Sequence, residues 1–320
     1  MSTDSGGGVR RTVPSAAAAP ATAAAAAAPS SRYGEVFDRG YAHYDGDRLG
    51  RTGAFRSLIG YSMKRALGLR KSWTAKVLPF LLYTAAIIPL IVMIGISAII
   101  PDSGFASYSG YMASIFTIVG IFVATAAPEM LCVDRRERTL PLYFSRAISR
   151  FDYVLAKVLA MTALTMTLSV VPAVILWLGR QLVAESPWKA MRDNVGDLWR
   201  VILLGSLIAL TLGTIGLAIS SVTDRKGVAV TIIIIGFIVI TSVSQIAMEL
   251  LSDYGWSRYL IFGSMIDTFL GISNHLFKDV QNINVDRVEM SLAAYITYCL
   301  SLVVIGIVFM RWRYAPRDDA

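Results

Sequence analysis

Apolar residues collect along this chain of 320 residues into six long blocks, Pro79–Ile100, Tyr111–Pro128, Val158–Gly179, Val201–Val222, Val228–Met248 and Leu292–Met310. None of the blocks contains Asp, Glu, Lys or Arg. At 1.5 Å of rise per residue, a helix of about 18 to 22 residues reaches roughly 27 to 33 Å, the depth of a bilayer's hydrocarbon core. The pattern predicts an all-α polytopic membrane fold with six transmembrane helices within 77–310. A helical period also runs before the first block, through Phe55, Leu58, Ile59, Met63, Ala66 and Leu67. Arg56, Lys64 and Arg65 are placed on its other face, so residues 49–76 read as an amphipathic interfacial helix lying on the bilayer surface.

The rest of the chain is polar or of low complexity. Residues 1–48 comprise a tail rich in Ala, Pro, Ser and Gly and then a segment of Tyr, Gly, Asp and Arg with no apolar period. Such a composition buries too little apolar surface to offset chain entropy, and disorder is expected. The Ala run has no Leu, Ile or Phe and carries Pro20, so it is not read as a signal peptide. Residues 129–157 form a 29-residue charged loop, 249–291 an external cap anchored by Trp256 and Tyr259, and 311–320 a short tail. Gly205, Ala209 and Gly213 recur at four-residue spacing in the fourth block, which suits close packing of a neighbouring helix, within the subunit in preference to between subunits.

Composition fits this picture and charge gives it a direction. The chain is 55% hydrophobic and 16% charged, with a mean hydropathy of +0.58, which argues against a soluble domain. Its formal charge of +8 is a topology signal, and no nucleic-acid partner is expected. The amino-terminal segment, the 129–157 loop, the connector after the fourth block and the tail together hold 23 Lys and Arg residues, against 7 in the other three connections. By the positive-inside rule the richer side is cytoplasmic, and both termini lie there.

Chemistry is sparse. Lys71-Ser72 follows Arg70 where a phosphate loop needs glycine, so no nucleotide site is expected in this chain. His43 and His275 fall outside the blocks, and Cys132 and Cys299 stand far apart. Neither an intramembrane Ser–His pair nor a zinc site can be assembled from them, and no metal, cofactor or catalytic residue is expected. An interior without titratable groups cannot bind a coupling proton or sodium ion, which points to a motor outside the chain. A membrane enzyme acting through its loops, or a non-transporting anchor for a cytosolic protein, are the alternatives.

Within the 129–157 loop, Glu137, Thr139, Leu140, Leu142, Ser149, Arg150 and Lys157 occur in an order that resembles the ABC-2-type permease family, with Arg138, Ala147 and Ala156 where that family usually has Gly, Pro and Gly. The layout from about residue 49 to 313 is similar as well, and Gly34 to Arg48 looks like the amino-terminal extension of some actinobacterial members. The resemblance implies the permease subunit of an ATP-driven exporter in the cytoplasmic membrane, and the apolar wall of the spans favours an amphiphilic substrate. It implies an ATPase-contact surface at Arg138, Thr139, Leu140, Leu142, Tyr143, Phe144, Arg146, Ser149 and Arg150. The partners would be a cytosolic ABC ATPase dimer carrying ATP and magnesium, a second permease copy or paralogue, and the lipid bilayer. The second and fifth helices would line the dimer contact, and with the first helix the path.

Overall fold

The computed structural model describes residues 50–69, 73–99, 107–145, 148–278, 288 and 290–315. The expectations for residues 1–48, and the contact assigned to Arg146, lie outside the described residues.

Six helices are long and apolar enough to span a bilayer: α2 (Trp73–Ile99), α3 (Tyr108–Arg136), α5 (Arg150–Val183), α7 (Val195–Ser220), α8 (Lys226–Leu250) and α10 (Leu292–Arg313). Shorter helices join them: α1 (Gly50–Ala66), α4 (Leu140–Phe144), α6 (Pro187–Asp193) and α9 (Met265–Phe277). No strand occurs among the described residues. α3, α5 and α7 form the packed centre, whereas α2, α8 and α10 turn most of their apolar side chains outward, as helices against lipid or another subunit do.

Two features depart from the apolar blocks. α3 continues through Pro128 and Glu129 to Arg136, and α5 begins at Arg150, well before its apolar block. The charges that mark 129–157 as a loop therefore sit on the inner turns of two helices, and the connector proper is short. A hydrophobic block ends where the charge begins, but a helix ends only where its backbone groups find other partners.

α1 also differs from a helix lying free on the surface. Leu58, Ser62, Arg65 and Ala66 form one buried stripe, packed on α5 and α3. Arg65, placed above on the polar face, is 7% exposed. Ser62 and Arg65 complete the stripe at helical spacing, and a count of apolar residues cannot see them.

The fourth block's small residues serve packing inside the subunit. A Cβ at Gly205 would meet Val170 of α5 at 2.9 Å, and one at Gly213 would meet Met161 at 3.3 Å. On the outer side a 3-10 turn, Ser257–Gly263, and α9 are bent by 105° and turn back into the bundle. There Phe269 packs on Phe116 of α3 and Phe262 on Tyr298 of α10.

Gly216 faces α3 so closely that a Cβ would clash with Val123, whereas Gly236 on α8 has open space around it. Gly216→Val should lower stability by about 1 to 3 kcal/mol through overpacking. Gly236→Ala should hold or gain up to about 1 kcal/mol from helix propensity. Thermal unfolding of the two detergent-purified variants distinguishes them, and equal midpoints would contradict the assigned packing.

Candidate functional site at the inner end of the bundle

The inner turns of α3 form a hub. Asp134 is fully buried, and each of its carboxylate oxygens has charged company: Arg65 Nη1 of α1 lies 2.7 Å from Oδ1, and Lys157 Nζ of α5 lies 2.7 Å from Oδ2. The Tyr153 hydroxyl donates to Oδ2 at 2.9 Å, Lys157 donates again to the Met130 carbonyl at 3.0 Å, and Arg65 Nη2 reaches Glu137 at 3.0 Å. Two carboxylates thus balance two cations, which is the condition for holding charge away from water. Burial weakens the Arg65 charge, but Asp134 above all, with Tyr61 and Glu137 behind it, more than offsets that, and its pKa lies above the usual arginine value.

Further along the same turns, Glu129 accepts from Lys226 of α8 at 2.6 Å. Arg135 pairs with Asp224 at 2.8 Å and donates to the Ser221 carbonyl, both in the α7–α8 connector. α3 therefore grips α1, α5, α8 and that connector from one end.

The short helix α4 hangs from this hub. The α3 carboxyl terminus closes in a Schellman pattern: the Thr139 N–H donates to the Asp134 carbonyl and the Arg138 N–H to that of Arg135, each at 3.1 Å, with Arg138 at φ 52°. A left-handed residue is cheapest as glycine, which gives the physical reason for the family's usual residue at this position. The Thr139 hydroxyl adds a second bond to the Asp134 carbonyl at 3.1 Å.

The residues expected to contact an ATPase divide between two faces. Leu142 is 67% exposed, and Arg138, four residues before it in the chain, is exposed as well. Leu140 is half-buried against the core, while Tyr143 and Phe144 turn inward, each with its ring 5.8 Å from that of Tyr153. Burial, then the Asp134 carboxylate, pushes the Tyr143 phenol up to about 12, so it stays neutral. Arg150 lies over the Phe144 ring at 5.4 Å and donates to the Tyr314 carbonyl at 3.3 Å. Ser149 caps α5 in a reciprocal box with Asp152, whose carboxylate accepts two bonds from Arg51 at 2.8 and 2.7 Å. Leu142 and Arg138 thus remain as the outward surface, and the others fasten α4 and the start of α5 to the bundle.

Asp134, Arg65, Arg51 and Asp152 are not among the residues that the sequence marks for a site. The Ser149-Arg-Phe-Asp152 run is a capping signature and could have fixed the start of α5. No sequence pattern joins Arg65 to Asp134, because their pairing is made by tertiary packing. The finding also corrects the expectation of an interior without titratable groups. Asp134 and Lys157 are buried at the inner end, and Asp267 is buried beneath the outer cap, where it accepts from Gln245 at 3.0 Å. They escaped notice because they lie beyond the limits of the apolar blocks.

A family model described as ABC-2 family transporter protein matches residues 98–311, well over half of the chain, and the matched stretch includes α4 and the α3 and α5 residues of the hub, but not Arg65 of α1. No curated protein matches.

Asp134→Asn leaves Lys157 and Arg65 without their buried counter-charge and should cost about 3 to 5 kcal/mol. A drop in folded yield and thermal midpoint is expected, with partial recovery when Lys157→Met is added; an unchanged midpoint would remove the hub from the account. Arg138→Gly relieves the left-handed cost and should raise stability by about 0.5 to 1 kcal/mol, seen as a higher midpoint in the same assay.

Proposed function

The chain belongs to the ABC-2 transporter family, and from that membership we propose that it is the permease of an exporter whose ATP-hydrolysing subunits are separate polypeptides that grip the outward face of α4. Its place is the cell membrane, as a multi-pass protein, and its part in an ABC transporter is that of the membrane component. The observation that carries the rest is Leu142, an aliphatic side chain 67% exposed on a five-residue helix whose other face is fastened to the bundle. Full burial of a leucine is worth about 1.5 to 3 kcal/mol, so a partner groove that accepts it gains a central anchor. Arg138, exposed four residues before it in the chain, suits an acidic group on that partner.

ATP and magnesium would then be bound by the partner, and its closure would displace α4. The Schellman turn and the aromatic packing on Tyr153 would pass that displacement to α3 and α5 together. Because ABC ATPases act in pairs, two permease copies are proposed, with α3 and α8 at the contact and along the path. An amphiphilic substrate agrees with a cleft of about 350 Å³ between these two helices. Phe116, Ile121, Phe237 and Ile238 make it apolar, and Thr117, Thr241 and Ser242 add hydroxyls.

Leu142→Asp should abolish co-purification of the cognate ATPase while thermal midpoint and membrane insertion stay within error of wild type. Retained co-purification would refute the docking assignment. Phe144→Ala should instead keep much of the binding but lower the midpoint, since it loosens the fastening face.

A further inference from the structure

At the opposite end of the bundle, the carboxyl end of α5, the short α6 and the start of α7 enclose a groove of about 470 Å³ with a largely polar lining that includes Tyr108, Arg180, Gln181, Asn194, Asp197 and Arg200. Its charges do not cancel. Asp197 is taken by Arg200 at 2.7 Å, while Arg180 has no carboxylate partner among the described residues and stacks 4.6 Å from the centroid of the Tyr108 ring. Neither Glu185 nor Asp193 lines the groove. The Asn194 side-chain nitrogen donates to Gln181 Oε1 and to the Ala190 carbonyl, both at 3.0 Å, and its oxygen makes no capping bond to α7. Asp197 also sits in the first turn of α7, against the positive end of that helix, which leaves the Arg180 guanidinium as the uncompensated charge of the groove.

Depth identifies the occupant. Trp188 on α6 and Trp199 on α7 are 86% and 62% exposed, and tryptophans so placed at a span's end mark the headgroup layer. The abundant anion at that level is a phosphodiester, whose paired oxygens suit a planar guanidinium. We propose that this groove binds one phosphate anion at the outer surface, supplied by the headgroup of an outer-leaflet lipid or by a soluble phosphate. The site needs neither an ATPase nor transport, and it stands independently of the α4 assignment.

Native mass spectrometry of the full chain in detergent, with phosphatidylglycerol, phosphatidylcholine or inorganic phosphate added, tests the proposal. One phosphatidylglycerol should be retained in preference to phosphatidylcholine. Arg180→Gln should cut retention at least fivefold, Arg180→Lys should keep it within about twofold, and Arg258→Gln, on the outer side but away from the groove, should not change it. Displacement by millimolar inorganic phosphate, or phosphate binding alone, would make a soluble anion the source; resistance would make it the lipid. Equal retention in wild type and Arg180→Gln, or an equal loss in Arg258→Gln, would overturn the site.

Discussion

A carboxylate with no access to water must be matched by cations held within hydrogen-bonding distance, and the inner half of this molecule is arranged around that demand at Asp134. Arg65 comes from α1, Lys157 and Tyr153 from α5, and the carbonyl of Asp134 itself terminates α3 through Thr139. The charged partners arrive on two other elements, so neither α1 nor α5 can shift against α3 without stranding a charge. Packing between apolar helices inside a bilayer is only weakly directional, because lipid tails compete for the same surfaces. The ion cluster supplies the register that such packing lacks.

That register explains why α4 can be short and still fixed. Five residues cannot hold a helix by themselves. α4 is held by the Schellman turn behind it, by Tyr143 and Phe144 against Tyr153, and by Arg150 across the Phe144 ring. Tyr153 touches both ends of the arrangement: its ring supports α4 and its hydroxyl reaches Asp134. A push on the outer face of α4 meets a rigid assembly, which then moves as one piece or not at all.

How much of this could be read in advance follows from what each signal measures. The six spans were legible because hydrophobic length is a property of the chain alone, whereas the order of residues around Leu142 and Arg138 pointed to a family and not to which of them the fold exposes. The inward turn of Tyr143 and Phe144 was not, since an aromatic pair in a basic loop looks the same whether it faces a partner or its own bundle. Arg65 is the sharpest case. In sequence it is one more cation near a membrane, and only the arrival of Asp134 from a helix 69 residues away turns it into a core residue. Helix ends are hidden for a related reason: charge in a sequence marks a loop and a helix end alike, while at Lys157 and Asp134 it is the means by which two helices are joined.

Buried titratable groups reopen the question of what drives the molecule, because an ion-coupled carrier also hides charges in its bundle. The two cases differ in how the coordination is filled. A coupling site must exchange its ion or proton with water on alternate sides, so it needs a ligand position that empties. At Asp134 both oxygens are committed to internal cations, Glu137 balances the second cation, and Lys157 spends a further hydrogen bond on the Met130 carbonyl. Loss of the Lys157 proton would leave Asp134 and Glu137 facing Arg65 alone, with the excess negative charge beside a fully buried carboxylate. The cluster is therefore better suited to transmit force than to bind a driving ion, and the family membership points the same way, toward work that enters from outside the chain.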